Sequence, residues 1–225
     1  GFFILVALSA CHKAVVTSAP PRAVAAPNQS KILKSISGTI KFSSVVTYND
    51  EVVIYPSAWL STSGAGKLIF NNRVTILGQS QVFDKNINIQ FAQNALSTLN
   101  PNWFGANGMD QLPDDEALIK TFDVAKSIQN ALRIDFPIGR FIITSPLVIE
   151  SANADKYPIV VSGVSSSYTS TTGTSITWEG DESESMILVQ NLSNSIFENL
   201  DFTSAFPLFA KHNVELRPMV NQIVF

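Results

Sequence analysis

From Ile36 onward the chain is written in segments of four or five residues that alternate apolar and polar side chains, at 39–42, 51–55, 67–70, 74–77 and 87–91. Successive side chains of a strand point to opposite faces, so a period of two reads as a strand with one face buried. Asn49-Asp50, Ser63-Gly64-Ala65-Gly66 and Asn71-Asn72 supply the residues that turn a chain between such strands. No helical stretch interrupts this region, which fits a small β-solenoid or a sandwich, with the solenoid preferred. Gly64-Ala65-Gly66-Lys67 is a turn and not a phosphate loop. It lacks the longer glycine spacing, the Ser or Thr after the lysine, and a helix to follow.

Residues 114–132 carry the chain's one helical period. Asp114 is placed to cap the helix, Asp115 and Glu116 sit in the first turn where the helix dipole favours acid, and Leu118, Ile119, Phe122, Ala125, Ile128 and Leu132 form an apolar stripe. That stripe must cover a hydrophobic surface.

Charged residues make up 15% of the 225 positions and the net charge is -3, with no Lys/Arg cluster. The electrostatic footprint of a nucleic-acid binder is missing, and nucleic acid is not an expected partner. The single Cys11 excludes an internal disulfide framework and a multi-cysteine zinc site.

Cys11 closes the apolar run Phe2-Phe3-Ile4-Leu5-Val6-Ala7-Leu8-Ser9-Ala10. The run is shorter than the roughly 20 residues that span a bilayer and has the length of a signal-peptide core. Leu8-Ser9-Ala10-Cys11 resembles a bacterial lipobox, in which the cysteine is acylated and the mature protein is held on a membrane. Each buried methylene adds about 0.8 kcal/mol, so more than one chain gives lasting attachment. An ordinary secretory cleavage site or a buried strand are the other readings of the run. No initiator Met or basic segment precedes Gly1, so the start is expected to be truncated. Residues 14–30, rich in Ala and Pro without hydrophobic period, read as a tether.

The stretch Asn102-Trp103-Phe104-Gly105-Ala106-Asn107-Gly108, followed by Asp114-Asp115-Glu116-Ala117-Leu118-Ile119, resembles the N-terminal motif of the pectate lyase superfamily, which includes pectin-acting glycoside hydrolases and tail-spike-like proteins. The resemblance extends over 102–202. Phe136-Pro137-Ile138-Gly139-Arg140-Phe141 looks like the family's Phe-Pro-x-Gly-x-Tyr strand, with Phe141 in the aromatic place. Pro158-Ile159-Val160-Val161-Ser162-Gly163, Ser175-Ile176-Thr177-Trp178, Met186-Ile187-Leu188-Val189 and Asn194-Ser195-Ile196-Phe197-Glu198-Asn199-Leu200-Asp201-Phe202 look like strands of successive coils. Met109-Asp110-Gln111-Leu112-Pro113 departs from the family's shorter Gly-Asp-Gly-x-Thr loop.

The resemblance implies an all-β fold: a right-handed parallel β-helix (solenoid) with one N-terminal capping α-helix, preceded by a small β-rich region. The expected divisions are 1–11 signal and lipobox, 12–35 tether, 36–100 β-rich region and 101–225 N-terminal part of the β-helix. The apolar Val220, Ile223, Val224 and Phe225 would leave an open end. The chain is therefore expected to continue beyond Phe225, with the family's catalytic residues mostly there.

Coils stacked about 4.8 Å apart hold carboxylates at roughly 5 or 9.5 Å, the spacings used by retaining and inverting glycosidases. A lyase would instead need a cation beside the uronate carboxylate, plus a base. Glu179, Asp181, Glu182, Glu184, Glu198 and Asp201 are the acids near expected strands, with Lys211, His212 and Arg217 close by. Each reads first as a solvated face or corner. Glu198 and Asp201, three positions apart, would face opposite sides of a straight strand. His212 has no second histidine for a metal, and Asn199 suits a coil-stacking corner. Trp103 is expected beneath the cap and Trp59 in the core, which leaves Trp178 as the candidate carbohydrate-binding residue.

Catalytic residues are not identifiable. The expected function is the N-terminal part of a secreted, lipid-anchored polysaccharide-degrading protein, a pectin- or uronate-type glycoside hydrolase or lyase of a bacterial outer membrane. The alternative is a non-catalytic glycan-binding or tail-spike-like surface β-helix. Polysaccharide is the expected partner, and the membrane is reached through lipid at Cys11. No cofactor or metal is expected, apart from a calcium ion if the complete protein is a lyase.

Overall fold

Short runs of β-branched and aromatic residues, each stopped by Asn, Gly or Pro, become strands that are too brief to fold alone and must find partners along the chain. The computed structural model describes residues 33–128, 130–150, 158–165, 172–205, 207, 209–217, 220 and 223–225. Cys11, the apolar run before it and the 14–30 stretch lie outside the described residues.

The first strands are β1 (Lys34–Ile36), β2 (Thr39–Phe42), β3 (Val45–Tyr48), β4 (Val52–Ile54), β5 (Trp59–Thr62), β6 (Lys67–Phe70), β7 (Val74–Ile76), β8 (Ile89–Phe91) and β9 (Thr98–Leu99). A 3-10 turn, Pro101–Phe104, and the helix α1 (Asp115–Ser127) follow. Then come β10 (Leu132–Asp135), β11 (Gly139–Ile143), β12 (Leu147–Glu150), β13 (Ile159–Ser162), β14 (Thr174–Trp178), β15 (Ile187–Gln190), β16 (Ile196–Glu198), β17 (Asp201–Ser204) and β18 (Val214–Leu216).

The protein is all-β in class, with parallel sheets that do not close into a barrel. The sheet orders are β1-β4-β7, β2-β5, β3-β6-β8, β9-β10-β13-β16, β11-β14-β17 and β12-β15-β18. Parallel neighbours need a crossover, which is usually a helix. Here the crossover is mostly two further strands: after β1 the chain lays down β2 and β3 before β4 returns beside β1, and the same order recurs from β10 to β18. From β10 on, each pass adds one strand to each of three sheets; before the helix, the third pass meets the β2-β5 sheet only through a single Leu60–Phe83 bridge.

Register puts like on like. Tyr48, Phe70 and Phe91 face one another across β3, β6 and β8, and their rings stack with centroids 5.3 Å apart at both steps. Ile36, Ile54 and Ile76 do the same across β1, β4 and β7. At the corner after β3 and β6, Asn71 Nδ2 donates to Asn49 Oδ1 at 2.8 Å, so the turn residues stack as well.

The strand expectations hold at 39–42 and 67–70, run a residue or two long at 51–55, 74–77 and 87–91, fall one residue short at 175–178 and sit one residue early at 186–189. β1, β3, β5, β9 and β18 were not expected. The stretch 134–143 is two strands in different sheets, because Phe136-Pro137-Ile138 turns a corner between β10 and β11. The helix stops at Ser127, and Leu132, expected at its end, opens β10. Leu118, Phe122, Ala125 and Ile128 of the expected stripe are buried, whereas Ile119 is exposed.

The helix also has strands on both sides. It packs against β8 before it, β12 after it and the Pro101–Phe104 turn. Lys31–Phe225 is one compact unit, and a single apolar core runs from Ile36 to Phe197. The division expected at residues 100 and 101 therefore falls inside continuous packing. β9 pairs with β10 through Leu99 and Ile134, and the Trp103 carbonyl accepts from Val82 N and Phe83 N at 3.2 and 2.9 Å.

Phe70 lies at the centre of the aromatic stack and is fully buried. Phe70→Ala is expected to destabilise the protein by about 3–5 kcal/mol, read as a lowered urea midpoint. Tyr48→Ala, at the partly exposed end of the stack, should cost clearly less.

Candidate functional site

In the sheet β9-β10-β13-β16, the buried residues Ile134, Val161 and Phe197 share one register position and fix the inward side. The next position along, Asp135, Ser162 and Glu198, therefore lies on the opposite side, where Asp135 and Glu198 are partly exposed and Ser162 is itself buried. Arg133, two residues before Asp135, projects from the same face. Its guanidinium joins the whole row: Nε donates to Asp135 Oδ1 at 2.5 Å, Nη1 to Glu198 Oε1 at 3.0 Å and Nη2 to Ser162 Oγ at 2.6 Å. Burial opposes the charge on Arg133, but hydrogen bonds and charge from Asp135 and Glu198 raise its pKa. The two carboxylates spring from backbones two strand spacings apart, roughly 9.5 Å.

Arg133, Asp135 and Glu198 keep 43%, 42% and 39% of their side-chain surface exposed. Exposed ion pairs of this kind contribute about 0–1 kcal/mol, so the apolar core and not this row holds the fold together.

Glu198 was among the acids picked out by sequence; Arg133, Asp135 and Ser162 were not. Glu198 and Asp201 belong to different strands in different sheets, because Asn199 turns the chain with φ 57° between β16 and β17. The expectation of opposite faces on one strand does not apply to them.

The remaining candidates are distributed over the other faces. Glu179 accepts from Arg140 Nη2 at 2.8 Å, while Arg140 Nε donates to Thr177 Oγ1 at 3.1 Å. Asp201 faces Ser175 across β14 and β17. Asp181 accepts from the backbone and hydroxyl of Ser183 in the turn that also carries the exposed Glu182 and Glu184. Lys211 is exposed, and its backbone N–H donates to the Glu184 carbonyl at 2.8 Å.

His212 forms a cluster that sequence reasoning missed. Ser185 Oγ lies 3.1 Å from His212 Nδ1 and donates to Glu215 Oε2 at 2.6 Å, and Arg217 Nε reaches Glu215 Oε1 at 3.3 Å. The Ser185 hydrogen bond, with help from Arg217, lowers the Glu215 pKa. Ser and Glu meet the same imidazole nitrogen, so this is not a relay in which the histidine passes a proton between them.

Trp178 is fully buried and offers no ring face to a sugar, which corrects its assignment as a carbohydrate contact. The reason is register: Trp178 aligns with the buried Ile143 across β11 and β14, on the inward side. Its indole N–H has no partner among the described residues. Trp103 is buried as expected and donates from Nε1 to the Gly78 carbonyl at 3.0 Å. Trp59, expected in the core, is only half-buried.

The motif around Trp103 builds a cleft of about 590 Å³ between Gln81, Lys85, Gly105, Asp110, Asp114 and Glu116. Gly105 ends the 3-10 turn at φ 105°, a conformation side chains rarely adopt. A Cβ on Gly108 would stand 2.8 Å from the Arg140 backbone nitrogen, where the chain packs too closely for any side chain. Asp114 does not cap α1 through its side chain. Its carboxylate accepts from Asn107 N at 2.6 Å and Ile142 N at 3.2 Å, tying the loop to β11. Asp115 likewise accepts from the backbone and hydroxyls of Thr144 and Ser145. Lys85 and Glu116 form an ion pair at the edge of the cleft.

Among the described residues no group of three or more His, Cys, Asp or Glu is placed to hold a metal ion. Compared with protein-family models, curated proteins and solved structures, the chain gives no match.

Burial pushes the Asp114 carboxyl up to about 6, against the pull of the Asn107 and Ile142 N–H groups and with help from Asp110 and Asp115. A carboxyl whose pKa is higher folded than unfolded favours the fold when protonated. Its contribution is complete below the unfolded value of 3.8 and is lost as pH rises through about 6. Asp114→Asn removes this dependence. The stability difference between variant and native protein is expected to shift toward the variant by on the order of 1–3 kcal/mol between pH 4 and pH 7, measured by urea unfolding at both pH values. A difference that stays constant with pH would contradict the assignment.

Proposed function

We propose that this chain is part of a right-handed parallel β-helix belonging to a secreted, lipid-anchored polysaccharide-degrading protein, and that it meets the glycan along its outward strand rows. The β-helix reading is supported by the recurrent order in which each strand from β10 pairs with the third strand after it. The observation that carries the function is the Asp135–Ser162–Glu198 row with Arg133 across it. Two carboxylates on alternate strands offer the pair of groups of which one can protonate a glycosidic oxygen while the other takes a proton from the attacking water. The C–O bond then breaks as the water oxygen bonds to the anomeric carbon. The Arg133 side chain beside them, half-exposed and rich in N–H donors, suits the hydroxyl pairs of a sugar.

A second reading, non-catalytic glycan binding by a surface β-helix, is favoured by the grip of Arg133 on both carboxylates. The two are separated by incubating the protein with a panel of plant and microbial polysaccharides and assaying new reducing ends. The degrading reading expects product, with Glu198→Gln lowering the rate by about a hundredfold or more. Retention on a polymer without product would establish the binding reading, and neither product nor retention would sink both.

The anchor reading rests on Leu8-Ser9-Ala10-Cys11. In a bacterial host, Cys11→Ser in the precursor is expected to abolish acylation and move the protein from the membrane fraction to the soluble one. Unchanged membrane retention would refute it.

A further inference from the structure

Asn107 is the one asparagine of the sequence that is followed by glycine. Asparagine is a thermolabile residue, and a glycine after it leaves the next backbone nitrogen without a side chain to shield it. The fold demands both halves of the pair. Gly108 lies against Gly139 and Arg140, where a Cβ would stand 2.8 Å from the Arg140 nitrogen, and its carbonyl accepts from Arg140 N at 2.7 Å. Asn107 must both donate and accept: Nδ2 donates to Asp110 Oδ2 at 2.9 Å, and Oδ1 accepts from Met109 N at 3.3 Å. A carboxylate in its place would keep the second bond and turn the first into a contact between like charges. The Met109 bond closes a small ring that contains both Asn107 Cγ and the Gly108 nitrogen, so the two atoms are held near each other. Among the described residues no hydrogen bond engages that nitrogen. Asn107 is exposed, so water and hydroxide reach it.

We infer that Asn107-Gly108 is a self-modification site, at which the protein deamidates without an enzyme and so releases the loop that walls the cleft beside Asp110 and Leu112. Gly108 N bonds to Asn107 Cγ and gives up its proton to hydroxide or water. The Cγ–Nδ2 bond breaks, and Nδ2 leaves as ammonia with a proton taken from water. A water molecule then opens the cyclic imide at one of its two carbonyl carbons. Opening at Cγ restores the main chain with a carboxylate where the amide was; opening at the main-chain carbonyl leaves the chain running through Cγ, one carbon longer. Neither product fits. The new carboxylate faces Asp110 at the former hydrogen-bond distance, and a longer main chain has no room where a Cβ on Gly139 would stand 2.9 Å from Gly108 Cα. The Asn107 N bond to Asp114 and the Gly108 carbonyl bond to Arg140 N tie this loop to the helix and to β11, and they are the bonds lost.

The test follows the full chain by peptide mass mapping during incubation at physiological temperature and mildly alkaline pH. The peptide holding Asn107 is expected to gain the mass difference between an amide and an acid several-fold faster than any peptide holding another asparagine. It should yield two products, one of them resistant to a protease that cleaves beside aspartate. Asp110→Ala, which frees Nδ2 from its partner, should speed the gain, and Asn107→Ser should abolish it. Limited proteolysis reads the release of the loop. Cleavage within 107–113 should rise in step with the mass gain, should be present from the start in Asn107→Asp and should not develop in Asn107→Ser. A native chain that keeps its amide while the urea-unfolded chain loses it overturns the inference, because the fold then protects the bond. Mass gain without new cleavage, or an Asn107→Asp variant as resistant as the native protein, overturns the release. If Asn107→Asp is instead cut along its whole length, it has failed to fold, and the native time course decides.

Discussion

The structure depends on parallel backbone pairing between strands that are neighbours in space but separated by a whole pass of the chain. Arg133 aligns with Val160 and Ile196, and Phe141 with Ile176 and Phe202, because the hydrogen-bonded ladder fixes the pass-to-pass register. Everything else follows from that alignment. Aromatic rings meet aromatic rings inside, asparagines meet asparagines at a corner, and charged side chains are brought together outside. A shift of one residue in a strand would send its core residues to solvent and its charges inward.

The sequence was legible where a feature is local. Alternation marked most strands, the acidic first turn and apolar stripe marked α1, and the turn residues marked the corners. What escaped was set by tertiary context. Val45 and Thr47 of β3 alternate weakly, so β3 became visible only through its pairing with β6. Leu132 continues the helical period, yet β10 takes it because Pro158 O and Ile159 offer the pairing that a longer helix would forfeit. Trp178 could not be assigned to a face from its neighbours, since the whole of β14 is buried.

The candidate site was half legible for the same reason. Glu198 could be singled out as an acid near a strand, but its partner Arg133 lies 65 residues earlier. A spacing of that length has meaning only once the number of passes between the two residues is known. The helix shows the reverse case: its existence was plain in the sequence, but its position between β8 and β12 was not, because an apolar stripe does not say which surface it covers.

The corners differ in length more than the strands do, which run from two to five residues. The turn from β10 to β11 is the tight Phe136-Pro137-Ile138, while the chain from β14 to β15 takes the longer route of Glu179 to Met186. Which side a residue faces is decided within its own strand, and the corners only deliver the chain to the next one. Length can therefore change at the 179–186 corner without disturbing the Arg133 row, whereas a single residue added inside β13 would turn Ser162 inward and cut the row in two. The protein divides into positions where evolution or an engineer can lengthen the chain freely and positions where it cannot add even one residue.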